Sequence, residues 1–101
     1  GNDVLLQVVL GYSQAVFGDK IDIPTINGTA KLKIPTGIQP GQILRVKGKG
    51  FPLIGKSRRG DQLVKIQIEV PSKLSSDEKK SIEDLLKIQK NKEIKFQRFE
   101  D

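Results

Sequence analysis

The chain has 101 residues and a formal net charge of +6, from 18 Lys and Arg against 12 Asp and Glu, a length that holds one domain or two very small ones. It has neither Cys nor His, which removes disulfides, thiol nucleophiles, thiolate and imidazole metal ligands and the usual general base. No apolar run approaches the ~20 residues of a membrane span, no secretory signal opens the chain, and no membrane partner is expected.

In chain order, Val4 to Leu10 is apolar except for Gln7, which predicts a strand covered on both faces. Ser13-Gln14-Ala15-Val16-Phe17-Gly18 reads as a helical turn, begun by Ser13 and closed by Gly18, with Val16 and Phe17 pinned to the core. Lys20 to Ile23 and Thr29 to Ile34 alternate polar and apolar residues. Asn27-Gly28 between them predicts a hairpin with a type I′ turn, positive φ at both positions. The run from Pro35 to Gly41 is turn-rich and leads into an alternating strand over Ile43 to Lys47. Gln62 to Val70 has a clear period of two, Val64, Ile66, Ile68 and Val70 against Lys65, Gln67 and Glu69, which predicts a half-buried antiparallel strand ended by Pro71.

Ser75-Ser76-Asp77-Glu78 is a capping box. It predicts a helix from Ser76 to about Lys90, with Ile82, Leu85, Leu86 and Ile88 as a narrow apolar stripe. The tail, Asn91 to Asp101, alternates charge with Ile94, Phe96 and Phe99 and fits either a docked strand or a disordered end. These elements predict a mainly β fold: a small two-layer β-sandwich, an open barrel being the alternative, with a short helical turn and a C-terminal α-helix. The β-domain is expected over residues 1–74 and the helix and tail over 75–101.

The charge is local. No acid occurs from Ile23 to Gly60, where Lys31, Lys33, Arg45, Lys47, Lys49, Lys56, Arg58 and Arg59 contribute +8; the rest of the chain carries 10 basic and 12 acidic side chains. Six of the eight lie between Arg45 and Arg59 among Gly48, Gly50, Pro52, Gly55 and Gly60, the composition of a basic loop. Within it, Gly50-Phe51-Pro52-Leu53-Ile54-Gly55-Lys56-Ser57 matches the phosphate-loop spacing. That spacing binds phosphate through converging backbone N–H groups and a following helix N-terminus. Pro52 lacks an N–H and a strand pattern follows, so a plain loop is expected. Asn27-Gly28-Thr29 fits the glycosylation sequon, but the turn accounts for it.

The basic loop, Arg45, Lys47, Lys49, Lys56, Arg58 and Arg59, can be a solvated surface, a nucleic-acid patch or a dock for an acidic peptide. Phe51 is its one aromatic, few for base stacking. Asp19 and Asp22 flank a strand and Asp61 opens one beside Gly60, where a loop-bracing role fits better than catalysis. No paired carboxylates form an acid/base couple; no enzyme activity, cofactor or metal site is expected.

The order of these segments resembles the second C-terminal β-domain of DnaJ-type heat-shock co-chaperones. The matching residues are Gly1-Asn2-Asp3-Val4-Leu5, Ser13-Gln14-Ala15-Val16-Phe17-Gly18, Ile21-Asp22-Ile23-Pro24-Thr25 with Asn27-Gly28, and Lys31-Leu32-Lys33-Ile34-Pro35 with Gly37 and Gly41. They continue through Arg45-Val46-Lys47-Gly48-Lys49-Gly50, Arg59-Gly60-Asp61-Gln62-Leu63, Val70-Pro71 and Leu74, so that the pattern covers about residues 1 to 88. The resemblance implies a fragment of a co-chaperone arm that binds unfolded clients, dimerises and supports a DnaK-type chaperone. It lacks the His-Pro-Asp of a J-domain and the Cys pairs of a zinc-binding region. It implies a cytoplasmic location, or an organelle matrix if the longer protein carries a targeting segment. Ile82, Leu85 and Leu86 are the homodimer candidates, with Phe96 and Phe99 beside them. The alternative is a basic nucleic-acid- or ribosome-binding β-domain using the Arg45 to Arg59 loop; the resemblance disfavours nucleic acid.

Overall fold

The computed structural model describes residues 2–99; Gly1, at the head of the family pattern, and Glu100 and Asp101, at the end of the tail, lie outside the described residues. The chain forms two compact units, residues 1–70 and 71–101. The first is built from β1 (Val4–Gly11), α1 (Tyr12–Phe17), β2 (Asp19–Thr25), β3 (Gly28–Ile34), β4 (Ile43–Val46) and β5 (Gln62–Glu69). The second holds α2 (Ser76–Gln89). No helix is long and apolar enough to cross a membrane.

Two sheets enclose the core of the first unit, the two-layer β arrangement expected from the strand patterns. One sheet has the order β1-β5-β4 and the other is the β2-β3 hairpin. Leu10, Ala15, Ile23, Leu32, Ile34, Ile38, Val64 and Ile66 are buried together, drawing on both sheets and α1. Segment 36–38 ties α1 to this core: the Gly37 and Ile38 N–H groups donate to the Ala15 carbonyl, and the Thr36 hydroxyl donates to the Phe17 carbonyl. Carbonyls that a helix end leaves unpaired are thereby satisfied.

Five local expectations are corrected. The antiparallel reading of the last strand holds on one side only. β5 is the central strand, antiparallel to β4 but parallel to β1, with Leu6 opposite Val64 and Val8 opposite Ile66. Alternation along a strand reports its two faces and is silent about the direction of its neighbours. β1 is not covered on both faces: Leu5 and Val9 are 64% and 56% exposed, because the core lies on one face of this sheet and takes only the alternate residues Leu6, Val8 and Leu10.

In α1, the residue in the core is Ala15, while Phe17 is 79% exposed and Val16 also faces outward. Gly11, not Ser13, is the N-cap residue, its N–H accepted by the Gln14 side chain. A six-residue helix presents less than two turns, so one small residue fills its contact with the sheets.

The hairpin forms, but its two loop residues are Ile26 and Asn27, flanked by the Thr25–Gly28 pair. Gly28 takes a positive φ and Asn27 does not, so the turn is not type I′. Across this hairpin the Lys31 ammonium lies 3.2 Å from Asp22, its directly paired neighbour. In α2 the capping box forms as expected: the Glu78 N–H donates to the Ser75 hydroxyl and the Ser75 N–H donates to the Glu78 carboxylate. The Ser75 N–H, and after it the Ser75 hydroxyl, favour the ionised carboxylate and hold the Glu78 pKa below its usual range.

Candidate functional site

The basic stretch between β4 and β5 forms a loop fastened at its base. Arg45, at the end of β4, and Asp61, just ahead of β5, form an ion pair. The other Asp61 oxygen accepts from the Gly48 N–H at 2.9 Å, and the Asp61 N–H donates to the Asp3 carboxylate at 2.7 Å. The Arg45 guanidinium also lies 3.9 Å from Asp3. Asp61 therefore braces the loop, the role its position beside Gly60 suggested.

Backbone contacts complete the clasp. The Phe51 N–H donates to the Asn2 carbonyl, and Gly50 and Gly60 are bonded to each other's strand through Gly50 N–H to Gly60 carbonyl and Gly60 N–H to Phe51 carbonyl. A Cβ on Gly50 would lie 2.5 Å from the Asn2 carbonyl oxygen and 2.7 Å from the Asp61 nitrogen, and one on Gly60 would overlap the Asn2 carbonyl. Three backbone segments pass here with no room for a side chain.

Beyond the clasp, Pro52 and Arg59 form a two-residue bridge, the Leu53 N–H donates to Arg58, and Lys56 N–H closes a tight turn on the Leu53 carbonyl. No helix follows Gly55-Lys56-Ser57, so the helix N-terminus on which the phosphate-loop pattern relies does not stand beside this loop. The six basic candidates divide into two groups. Arg45 is spent on Asp61, and the Arg59 side chain donates to the Gly50 carbonyl at 3.0 Å. Lys47, Lys49, Lys56 and Arg58 are exposed and make no ion pair among the described residues.

The clasp perturbs its own carboxylate. Asp61 is held below the usual carboxylate range chiefly by the Gly48 N–H, then by the Arg45 hydrogen bond. Asp19 is lowered in the same sense, first by the Gln14 side chain and then by the Lys20 N–H. A carboxyl with a depressed folded pKa stabilises the fold above its unfolded pKa, ~3.9 for Asp, and this contribution is lost as pH falls through the lower folded value. Melting temperatures between pH 6 and pH 2.5 should therefore fall, and Asp61→Asn should fall less steeply while starting lower. Parallel curves for the two proteins would remove Asp61 from the acid response.

Of the homodimer candidates, Ile82, Leu85 and Leu86 fall on α2 at the spacing of one helix face, and α2 buries no residue fully. Phe96 and Phe99 lie in the segment after it, which has no helix or strand, and both are almost fully exposed. Sequence reasoning missed three features: the exposure of Phe17, the fully exposed Ile54, and buried Gln62. Phe17 rims a shallow open groove of about 270 Å³ that includes Lys20, Lys33 and Thr36. Gln62 is 1% exposed in line with Val64 and Ile66, and its Oε1 has no partner among the described residues. Its place in the period-two pattern was the available signal for burial.

Two packed sheets, no cluster of metal-ligating side chains among the described residues, and a basic loop locked to the start of β1 define a small two-layer β-domain whose elaborated feature is a loop. The DnaJ C terminal domain family model matches residues 1–71, and the chain belongs to that family. A chloroplastic chaperone protein dnaJ of Oryza sativa subsp. japonica is 47% identical over 91 residues, covering 89% of this chain and 20% of the relative. Chaperone protein DnaJ of Roseiflexus castenholzii is 41% identical over 100 residues, 99% of this chain and 27% of the relative. That of Acholeplasma laidlawii is 51% identical over 90 residues, 87% of this chain and 24% of the relative. The chain thus spans between a fifth and about a quarter of the length of these relatives.

Proposed function

We propose that this domain contributes to unfolded-client binding and to dimerisation in a DnaJ-type co-chaperone that supports a DnaK-type chaperone through the longer protein. Membership of a family of chaperones supports the general reading. The observation that carries it is apolar surface left open on a unit whose core is already complete. Leu5 and Val9 on β1 and Ile43 on β4 point away from the core, with half-buried Leu63 beside Leu5 in the register. Gln7, Lys65 and Gln67 share that face with them, so it offers apolar side chains set among polar ones, a surface that fits an extended chain of mixed composition.

Binding of a fluorescently labelled, permanently unfolded protein to the full 101-residue chain, followed by anisotropy, tests the client reading. Leu5→Ser/Val9→Ser should weaken binding roughly tenfold with little change in melting temperature, because neither side chain faces the core. No binding by the parent chain at its solubility limit would overturn the reading.

A further inference from the structure

The clasped loop has a second end, and its chemistry differs from its base. The turn closed by Lys56 N–H on the Leu53 carbonyl places Ile54 and Gly55 at its two central positions, Gly55 with φ +72 as such a turn requires. Ile54 is 100% exposed and Phe51 is half exposed. The same loop carries Lys49, Lys56 and Arg58, exposed and without an ion pair among the described residues, in a segment with no acid from Ile23 to Gly60. An aliphatic side chain fully in water contributes nothing to the fold of this unit. The base of the same loop is fixed by Asp61, Arg59 and the two clasped glycines, so its apex is presented at little ordering cost when a partner arrives.

We propose that this apex is a client contact selective for unfolded segments that combine apolar residues with Asp or Glu, Ile54 and Phe51 meeting the apolar residues and Lys49, Lys56 and Arg58 the acidic ones. The inference rests on the client reading above and narrows it to a charge class. A flexible chain can set its apolar and acidic side chains around an exposed turn of this composition. Lys49, Lys56 and Arg58, left unpaired by the clasp, set the sign of the preference, and as exposed charges they act over a range that salt shortens to about 8 Å at physiological ionic strength.

The test uses the full 101-residue chain and two labelled peptides with the same Leu- and Phe-containing centre, one flanked by Glu and one by Lys. At low salt the Glu-flanked peptide should bind about tenfold tighter or more, the preference shrinking as salt rises. Ile54→Ser should weaken it roughly tenfold without changing the melting temperature, since the side chain touches nothing in the fold. Lys56→Glu/Arg58→Glu should reverse the preference. Equal binding of the two peptides, or unchanged binding by Ile54→Ser, overturns the inference; if the unfolded protein still binds the parent, the broader client reading survives that failure. Stronger binding of single-stranded RNA or of phosphatidylglycerol vesicles than of the Glu-flanked peptide also overturns it, in favour of a polyanion surface.

Discussion

Gly60→Ala should lower the unfolding free energy by roughly 3 kcal/mol and the melting temperature by about 10–20 °C. The added Cβ meets the Asn2 carbonyl, which is main chain and cannot swing aside as a flexible side chain would. Relief requires Asn2 to move, yet the Asn2 carbonyl accepts the Phe51 N–H, and the next residues enter β1 through the Val4 N–H on the Asp61 carbonyl. Opening this junction therefore loosens the loop and the parallel β1–β5 pairing together. A domain of this size has only ~5–15 kcal/mol in hand. Gly48→Ala is the control: Gly48 has φ +72 but open space around its Cβ position, so only the ~1–2 kcal/mol of left-handed strain applies. Circular dichroism melts of the two variants separate steric exclusion from backbone strain. A Gly60→Ala melt within a few degrees of the parent would show that the clasp does not hold the unit together.

Leu85→Asp should abolish self-association, raising the dimer dissociation constant by a hundredfold or more if α2 is the homodimer element. Ile82, Leu85 and Leu86 share one helix face, and a two-fold contact uses each of them twice. Burying each Leu or Ile contributes ~1.5–3 kcal/mol, so removing one position from both copies reaches at least two powers of ten. Isolated helices of about 12–15 residues are marginal in water; α2 has 14 residues and no fully buried side chain, so a partner for its stripe would stabilise the helix itself. Sedimentation velocity across micromolar concentrations reads the result, and Phe96→Ser/Phe99→Ser asks whether the tail takes part. A parent chain that stays monomeric throughout removes α2 from this role in the 101-residue chain.

Much of the architecture is legible before any coordinates. The capping box at Ser75 and Glu78, the stop at Pro71, the hairpin around Asn27-Gly28 and the period of two in β5 are local signals. Local backbone chemistry settles each of them. The family pattern from Lys47-Gly48-Lys49-Gly50 to Gly60-Asp61 was also readable as a pattern, though its physical meaning was not. Gly50 and Gly60 are required because Asn2, about fifty to sixty residues away in sequence, lies against them.

The sequence alone determined which segments become strands and helices, where the positive charge concentrates, and which reaction chemistries lack their side chains. Only the tertiary structure decided that β1 runs parallel to β5 and leaves Leu5 and Val9 uncovered, and that Ala15 rather than Phe17 fills the core. It alone separated Arg45 and Arg59, used inside the clasp, from Lys47, Lys49, Lys56 and Arg58, left outside it. The reason is the same in each case. Propensity, capping and periodicity act over a few residues, whereas strand direction, the covered face and the pairing of a charge depend on which distant segment arrives beside it.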